Sequence, residues 1–320
     1  MTEKTNIKIL VCYHKPAYLI KDDIFIPIHL GRILATQASK DGKMSQEDYQ
    51  WMLDNMIGDD TGDNISELNR LFNEMSAVYW AWKNYDKLGN PDYIGINHYR
   101  RFFNFPCLIS DNKICFEHNE LYEAISQADI ICDKFFSYDK GLYQHYLDHQ
   151  NWGFNPIFFD EVLKILSSDK NYAKFQHAFT NNQTGPLFNC FIMPREVFFD
   201  YCKWIFPVIF ELYQRFKDFP YEEKEKRNIA WMSERLTCAY IYCCSEKYKI
   251  KQIPLAKIDT KIIFQNNIIR NVVNYKKNKL NYFRCRLLAN LTFGKTRAHY
   301  KRKKKELKIK LKSVKQFLKG

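Results

Sequence analysis

The run from Tyr93 to Arg101 constrains what this chain can fold into more than any other stretch. Gly89, Asn90 and Pro91 mark a turn ahead of it, and Tyr93, Ile94 and Ile96 bring the aromatic and β-branched content of a short buried strand. His98, Tyr99, Arg100 and Arg101 then end that strand in a cluster of donors and positive charge. Open α/β sheets bind ligands at the carboxyl ends of their strands. Two guanidinium forks suit phosphate oxygens better than a lone carboxylate, so a bound phosphate is one reading of the cluster. The other is one arginine paired with a core carboxylate and its neighbour solvated.

Around this strand the pattern alternates between strand and helix. Ile7 to Cys12 reads as a first strand, ended by Lys15 and Pro16. Residues 40–43 and 58–63 read as loops. Asn64 and Glu67 have the spacing of a capping box, and the helix predicted after them carries Leu68, Leu71, Phe72, Met75, Tyr79 and Trp82 on one face. Further helices are predicted over 121–127, 160–167, 196–216 and 228–244, and strands over 129–132 and 187–193. With 46% hydrophobic and 16% aromatic residues, a 320-residue chain can bury a core in one large domain or two small ones. The ten cysteines lack the spacing of a metal site and read as reduced, mostly buried thiols. Residues 1–6 have no apolar h-region, and the longest apolar run, Trp204 to Phe210, is limited by Pro207 and Glu211. A cytoplasmic protein is expected.

The charge is placed very unevenly. Residues 295–320 hold twelve Lys or Arg and one acid, Glu306, which is +11 of the chain's +13. Leu307, Leu311, Val314 and Leu318 recur there at helical spacing, with Phe317 beside them. Such a helix suits an anionic membrane surface, each cation contributing on the order of 1 kcal/mol there. Nucleic acid would attract it through the same electrostatics, and a solubilising tail is the third reading. No recognised nucleic-acid module precedes the tail, which argues against nucleic acid as the partner.

An ordered series of short motifs carries a resemblance. It runs through Cys12-Tyr13-His14-Lys15, His29-Leu30-Gly31-Arg32, Gly62 to Ser66, Asn69, Tyr79 to Asn84, Tyr93 to Gly95 and His98 to Arg101. It continues with Asn189 to Met193, Tyr201 to Phe206 and Ser233-Glu234-Arg235-Leu236. Together these resemble a bacterial family known as domain of unknown function 4422, whose members occur in capsule, exopolysaccharide and O-antigen assembly and are regarded as glycosyltransferases. The resemblance implies an α/β, GT-A-like (Rossmann-like) glycosyltransferase fold over residues 1–265, with residues 266–320 as a basic helical C-terminal extension. It also favours the membrane reading of that extension, at the inner face of the cell membrane, where a lipid-linked acceptor would be met.

Many GT-A enzymes end the comparable strand in Asp-x-Asp, which holds a divalent metal on the donor diphosphate. Here that position reads Asn97-His98-Tyr99-Arg100. The resemblance therefore implies that His98, Tyr99, Arg100 and Arg101 bind the diphosphate without a metal cofactor. The competing expectation is a manganese-type site on Asp59, Asp60 and Asp63. His14 and Lys15, past the first strand, fall where such enzymes hold the nucleotide. Asp63 and Asn64, at a helix start, and Asn189 are the candidates for sugar hydroxyls, with capping as the alternative role of Asn64.

Glu234 is the candidate general base of an inverting transfer, set against an ion pair with Arg235 or Arg227, with Asp160 and Glu161 as weaker alternatives. His145 and His149 sit four apart but lack a third metal ligand, and read as acceptor-side or surface residues. The loops at Asn151-Trp152 and 181–186 are candidates to touch an acceptor sugar. The expected activity is transfer of a hexose, galactose first, from a UDP-sugar to a lipid-linked or oligosaccharide acceptor. A nucleic-acid-binding protein acting through its tail and a non-catalytic sugar-binding subunit are the alternatives.

Overall fold

The computed structural model of the chain describes residues 5–37, 44–110, 113–138, 140–180 and 186–257, with 279–280, 282–283, 299–305 and 308 beyond. Two compact units result, Met1–Lys257 and Ile258–Gly320. In the first, the opening elements are β1 (Ile7–Tyr13), β2 (Leu19–Ile20), β3 (Phe25–His29), α1 (Gln46–Asn55) and β4 (Ile57–Gly58). Next come α2 (Asn69–Phe72), α3 (Met75–Lys83), β5 (Tyr93–His98), β6 (Arg101–Phe103), β7 (Cys107–Ser110) and β8 (Lys113–Phe116). The chain continues through α4 (Asn119–Gln127), β9 (Ile130–Cys132), α5 (Gly141–Leu147), α6 (Pro156–Leu166) and α7 (Tyr172–Thr180). It closes with β10 (Phe191–Pro194), α8 (Arg195–Phe216), α9 (Asn228–Cys244), β11 (Ile250–Gln252) and β12 (Leu255–Lys257).

The main sheet is mixed α/β in character, with strand order β11-β9-β10-β5-β1-β3-β4, extended by β6 from β5 and by β12 from β6. Strands β4, β3, β1 and β5 are parallel. Strand β10 runs antiparallel between β5 and β9. The parallel strands are near-continuous apolar runs because helices or loops cover both their faces. At the centre, Gly95 of β5 faces Ile9 of β1 and Ile192 of β10. A Cβ at Gly95 would lie 2.9 Å from Ile192, 3.0 Å from Ile9 and 3.0 Å from the Phe191 carbonyl, so only glycine fits there.

Leu10, Cys12, Ile28, Ile94 and Ile96 form one apolar face of the sheet and share a core with α3, α8 and α9. Helix α8 buries Phe198, Tyr201, Cys202, Ile205, Ile209 and Leu212 at three- and four-residue spacing, each large apolar side chain contributing roughly 1.5–3 kcal/mol. Helix α6 starts on Pro156 because Asn155 accepts a hydrogen bond from the Ile157 amide. That places its start four residues ahead of the sequence expectation.

Helices α8 and α9 and strands β1, β5 and β9 form where the sequence pattern put them. Two expectations need correction. The helix predicted from Asn64 is broken: Ser66–Leu68 is a 3₁₀ turn, α2 ends at Asn73, whose φ is 47°, and α3 starts afresh at Met75. Asn64 Oδ1 accepts from the Ser66 amide at 3.2 Å, an Asx turn rather than a capping box. The Asn69 amide holds the break, donating to the Asn73 carbonyl at 2.8 Å and the Ser76 hydroxyl at 2.9 Å. The strand predicted over 187–193 is also shortened, because Phe188 and Asn189 both adopt left-handed backbone, with φ of 74° and 48°.

In the second unit, residues 299–305 are helical. Leu307, Leu311, Val314, Phe317 and Leu318, its predicted apolar stripe, lie outside the described residues. So do the loops at 40–43 and 181–185. Among the described residues no helix is long and apolar enough to cross a membrane.

Candidate active site

The carboxyl end of β5 turns tightly into β6, so that His98 faces Arg101 across the turn and Tyr99 and Arg100 form its tip. The Tyr99 amide donates to the Cys12 carbonyl of β1 at 3.1 Å, which fixes the turn to the sheet. Arg100 is exposed, with its guanidinium 5.7 Å from the Tyr99 ring centre. Arg101 is half-buried and lies 4.3 Å above the ring of Phe188. His98 Nε2 sits 2.8 Å from the Phe188 carbonyl oxygen, which can only accept, so Nε2 carries the proton. Burial, reinforced by the Arg101 charge, holds the His98 pKa down at about 4, and the ring is neutral near pH 7.

The left-handed pair Phe188–Asn189 is unusual for residues with a side chain, and for the bulky Phe188 it is a strained conformation. Its effect is specific. It turns the Phe188 carbonyl onto His98 and directs the Asn189 side chain inward. Asn189 Nδ2 then donates to Glu74 Oε1 at 2.8 Å and to the Ser233 hydroxyl at 3.1 Å. Asn189 Oδ1 is buried with no partner among the described residues.

Glu74, between α2 and α3, is buried. Burial pushes its carboxyl above the usual glutamate range, against hydrogen bonds from its own amide and from Asn189 and the charges of Arg227 and Arg101. Glu234, on α9, pairs with Arg235 at 3.0 Å. Its carboxyl is also pushed up, by burial first and then by the Glu74 charge, against Arg235, His98 and Arg101. Two carboxyls thus share one low-dielectric site near the Arg101 charge, and the Glu74 charge makes Glu234 harder to ionise. Arg235, only 2% exposed, also donates to the Trp231 carbonyl at 3.1 Å and lies 4.9 Å from the Phe154 ring.

The sequence pattern of a known family matches residues 8–246, nearly the whole of the first unit. The chain belongs to the family described as Domain of unknown function (DUF4422). Among solved structures, this DUF4422 chain is similar to the WbbM bifunctional glycosyltransferase in its apo form, at 25% identity and a TM-score of 0.61. The match covers 80% of this chain and 46% of that one, so the chain spans about half the length of WbbM. Nothing matches among the curated proteins.

In this DUF4422 chain the structure brings together some of the sequence-predicted residues and separates others. His98, Arg101, Asn189 and Glu234 meet around Glu74. His14 is exposed past β1 and packs edge-on to Tyr99 at 5.4 Å, with Lys15 exposed beside it. Asp63 and Asn64 serve their own loop: Asp63 accepts from Tyr79 at 3.1 Å, and Asn64 Nδ2 donates to the Gly62 carbonyl at 2.9 Å.

The three aspartates weighed as metal ligands do not converge. Asp59 is wholly buried and accepts four hydrogen bonds, Asp60 pairs with Arg32 at 2.9 Å, and Asp63 lies 4.0 Å from Lys83. Among the described residues, no three His, Cys, Asp or Glu are grouped to hold a metal ion. Asp160 accepts from Tyr143 at 2.8 Å, and Glu161 is held by Lys164 and Arg215. A separate cleft of about 540 Å³, lined by Lys8, Arg32, Thr61, Trp80 and Lys87 among others, shares no residue with the Arg101–Glu234 group.

Sequence reasoning missed Glu74. A signal was available, because Leu71, Glu74 and Val78 fall on one stripe at helical spacing. A carboxylate on a buried stripe is a charge that must find a purpose or a partner.

Proposed function

We propose that this chain is a metal-independent glycosyltransferase of GT-A type, which moves a hexose from a UDP-sugar to a glycan or lipid-linked acceptor. The observation that carries the reading is the grouping of Arg101, beside Phe188, with Glu74, held by Asn189, and Glu234, paired to Arg235, at the carboxyl end of parallel strands. Likeness to a bifunctional glycosyltransferase supports it. In this reading Arg100 and Arg101 hold the donor diphosphate, with Tyr99 at the same turn, and His14 and Lys15 face the nucleotide. Asn189 turns its free Oδ1 towards a sugar hydroxyl, and Asp63 and Asn64 remain more distant candidates for that task.

The acceptor hydroxyl attacks the anomeric carbon and its proton passes to the ionised Glu234 carboxylate. The bond from that carbon to the diphosphate breaks, and its electron pair goes to the leaving oxygen, where the guanidiniums balance the growing charge. His98, neutral and tied to Phe188, contributes position rather than charge. The basic segment 295–320 would hold the enzyme on an anionic membrane surface, at the inner leaflet. Galactose is the first donor sugar to try, in keeping with the family's place in polysaccharide assembly.

Titration calorimetry with UDP, with and without manganese, tests this on the wild type, Arg100→Ala and Arg101→Ala. The expected result is metal-independent binding, weakened roughly tenfold to a hundredfold by Arg101→Ala, as befits a charge-assisted hydrogen bond of about 1.5–3 kcal/mol. Binding only with manganese would move the diphosphate to a carboxylate site, where Asp60 and Asp63 are not fully buried. No UDP binding in either condition sinks the proposal.

A further inference from the structure

A strip of rings leads away from the Arg101 site. Phe188, beneath the arginine, lies 6.4 Å from Phe136, which lies 6.4 Å from Tyr138. Tyr138 is 4.2 Å from His145, His145 is 4.3 Å from His149, and His149 is 5.7 Å from Trp152, all between ring centres. The strip surfaces at both ends of this run, with Phe136 38% and Trp152 72% exposed. Trp152 is set by a pinned turn: Gly153 has φ of 98°, and a Cβ there would lie 2.4 Å from the Lys224 carbonyl oxygen. An indole held in water on a rigid turn offers a fixed ring face for a ligand to lie on.

The polar atoms along the strip are as informative as the rings. Tyr138 Oη, His145 Nδ1 and Arg235 Nε are buried and have no hydrogen-bond partner among the described residues. Buried polar groups are nearly always paired, so a hydroxyl that entered where the rings part would find donors and acceptors to bind. A lipid tail would cover the rings and leave the polar atoms bare. A pyranose or furanose chain supplies both, with C–H faces to lie on rings and hydroxyls to reach the polar edges.

We propose that the strip from Phe136 through Tyr138, His145 and His149 to Trp152 is an extended subsite for a carbohydrate chain, with Trp152 stacking on a distal sugar. This deepens the transferase reading and rests on it only in naming that chain the acceptor.

The test is saturation-transfer NMR of galacto-, gluco- and manno-oligosaccharides of two to six units, on the wild type, Trp152→Ala and Tyr138→Phe, with UDP calorimetry run in parallel. Trp152→Ala alters an exposed residue and leaves the fold in place. It should weaken the longest chains of the preferred series about threefold to tenfold, the size of one aromatic contact, and leave UDP affinity unchanged. Tyr138→Phe should weaken the shorter chains as well. Equal affinity in wild type and Trp152→Ala overturns the proposal, as does failure of all three series to bind a wild type that binds UDP. Oligosaccharide binding that depends on Trp152 in a protein that ignores UDP upholds the subsite and removes the transferase reading instead.

Discussion

Asp59 offers the sharpest test of the physical reasoning. Its carboxylate is wholly buried where β4 ends. Oδ2 accepts from the Gly31 amide at 2.7 Å and the Ser76 hydroxyl at 2.7 Å, and Oδ1 from the Arg32 amide at 3.1 Å and the Ser66 hydroxyl at 2.6 Å. One side chain thereby joins the loop after β3, the 3₁₀ turn and the first turn of α3. Burial still leaves its pKa above the usual aspartate value, against the pull of all four donors.

Asp59→Asn looks conservative and is not. Each oxygen faces one backbone amide that can only donate, so either placement of the new NH₂ group sets N–H against N–H. The hydroxyls can rotate to accept, but one amide, of Gly31 or Arg32, loses its partner. That substitution removes a charge-assisted bond of about 1.5–3 kcal/mol and leaves a buried donor unpaired at about 1–3 kcal/mol, so roughly 3–5 kcal/mol in all. Urea unfolding followed by tryptophan fluorescence and by far-UV circular dichroism would measure it. A loss below about 1 kcal/mol, with unchanged slope, would refute the claim that the four donors are fixed in place.

Other expectations follow from the site. Glu234→Gln should lower kcat by roughly a hundredfold or more, the usual span for a lost general base, with UDP affinity little changed. In the wild type the acid limb of kcat/KM should lie above the ordinary glutamate value, because the base works only when ionised and its pKa is raised. Glu74→Gln removes the neighbouring negative charge and should move that limb to lower pH; a limb that stays in place would uncouple the two carboxyls.

The same pair has a stability signature. A carboxyl raised in the fold binds its proton more tightly than in the unfolded chain, so stability falls as pH rises from the ordinary glutamate value through the folded one. Glu74→Gln should flatten that slope in urea titrations run across the range. Binding to vesicles containing phosphatidylserine should be lost on deletion of residues 295–320 and should weaken steeply with salt; salt-independent binding would point to an apolar anchor.

Much of the scaffold could be read along the chain, because β5, α8 and α9 are each long enough to show their own period. The site could be read only in part. Arg101 stood out as a charge just past the end of a strand, and Glu234 through the motif Ser233-Glu234-Arg235-Leu236 inside a helix. Glu74 was concealed inside a run that looked like one helix, and its role depends on Asn189, 115 residues away. The tautomer of His98 depends likewise on the Phe188 carbonyl, 90 residues away. Local propensity cannot express such pairings. The left-handed turn at 188–189 was invisible for a related reason, since Leu187 to Met193 has the composition of a plain strand and only the surrounding fold forces the turn.

That turn has a consequence for how this protein can change. A phenylalanine held at φ of 74° stores roughly 1–3 kcal/mol that a glycine would release. The same replacement would remove the ring that packs against the core and lies beneath Arg101, a loss of about 1.5–3 kcal/mol that offsets the release. Backbone strain and ring packing are thus set against each other at one position, so residue 188 can hold a strained turn without a net cost in stability.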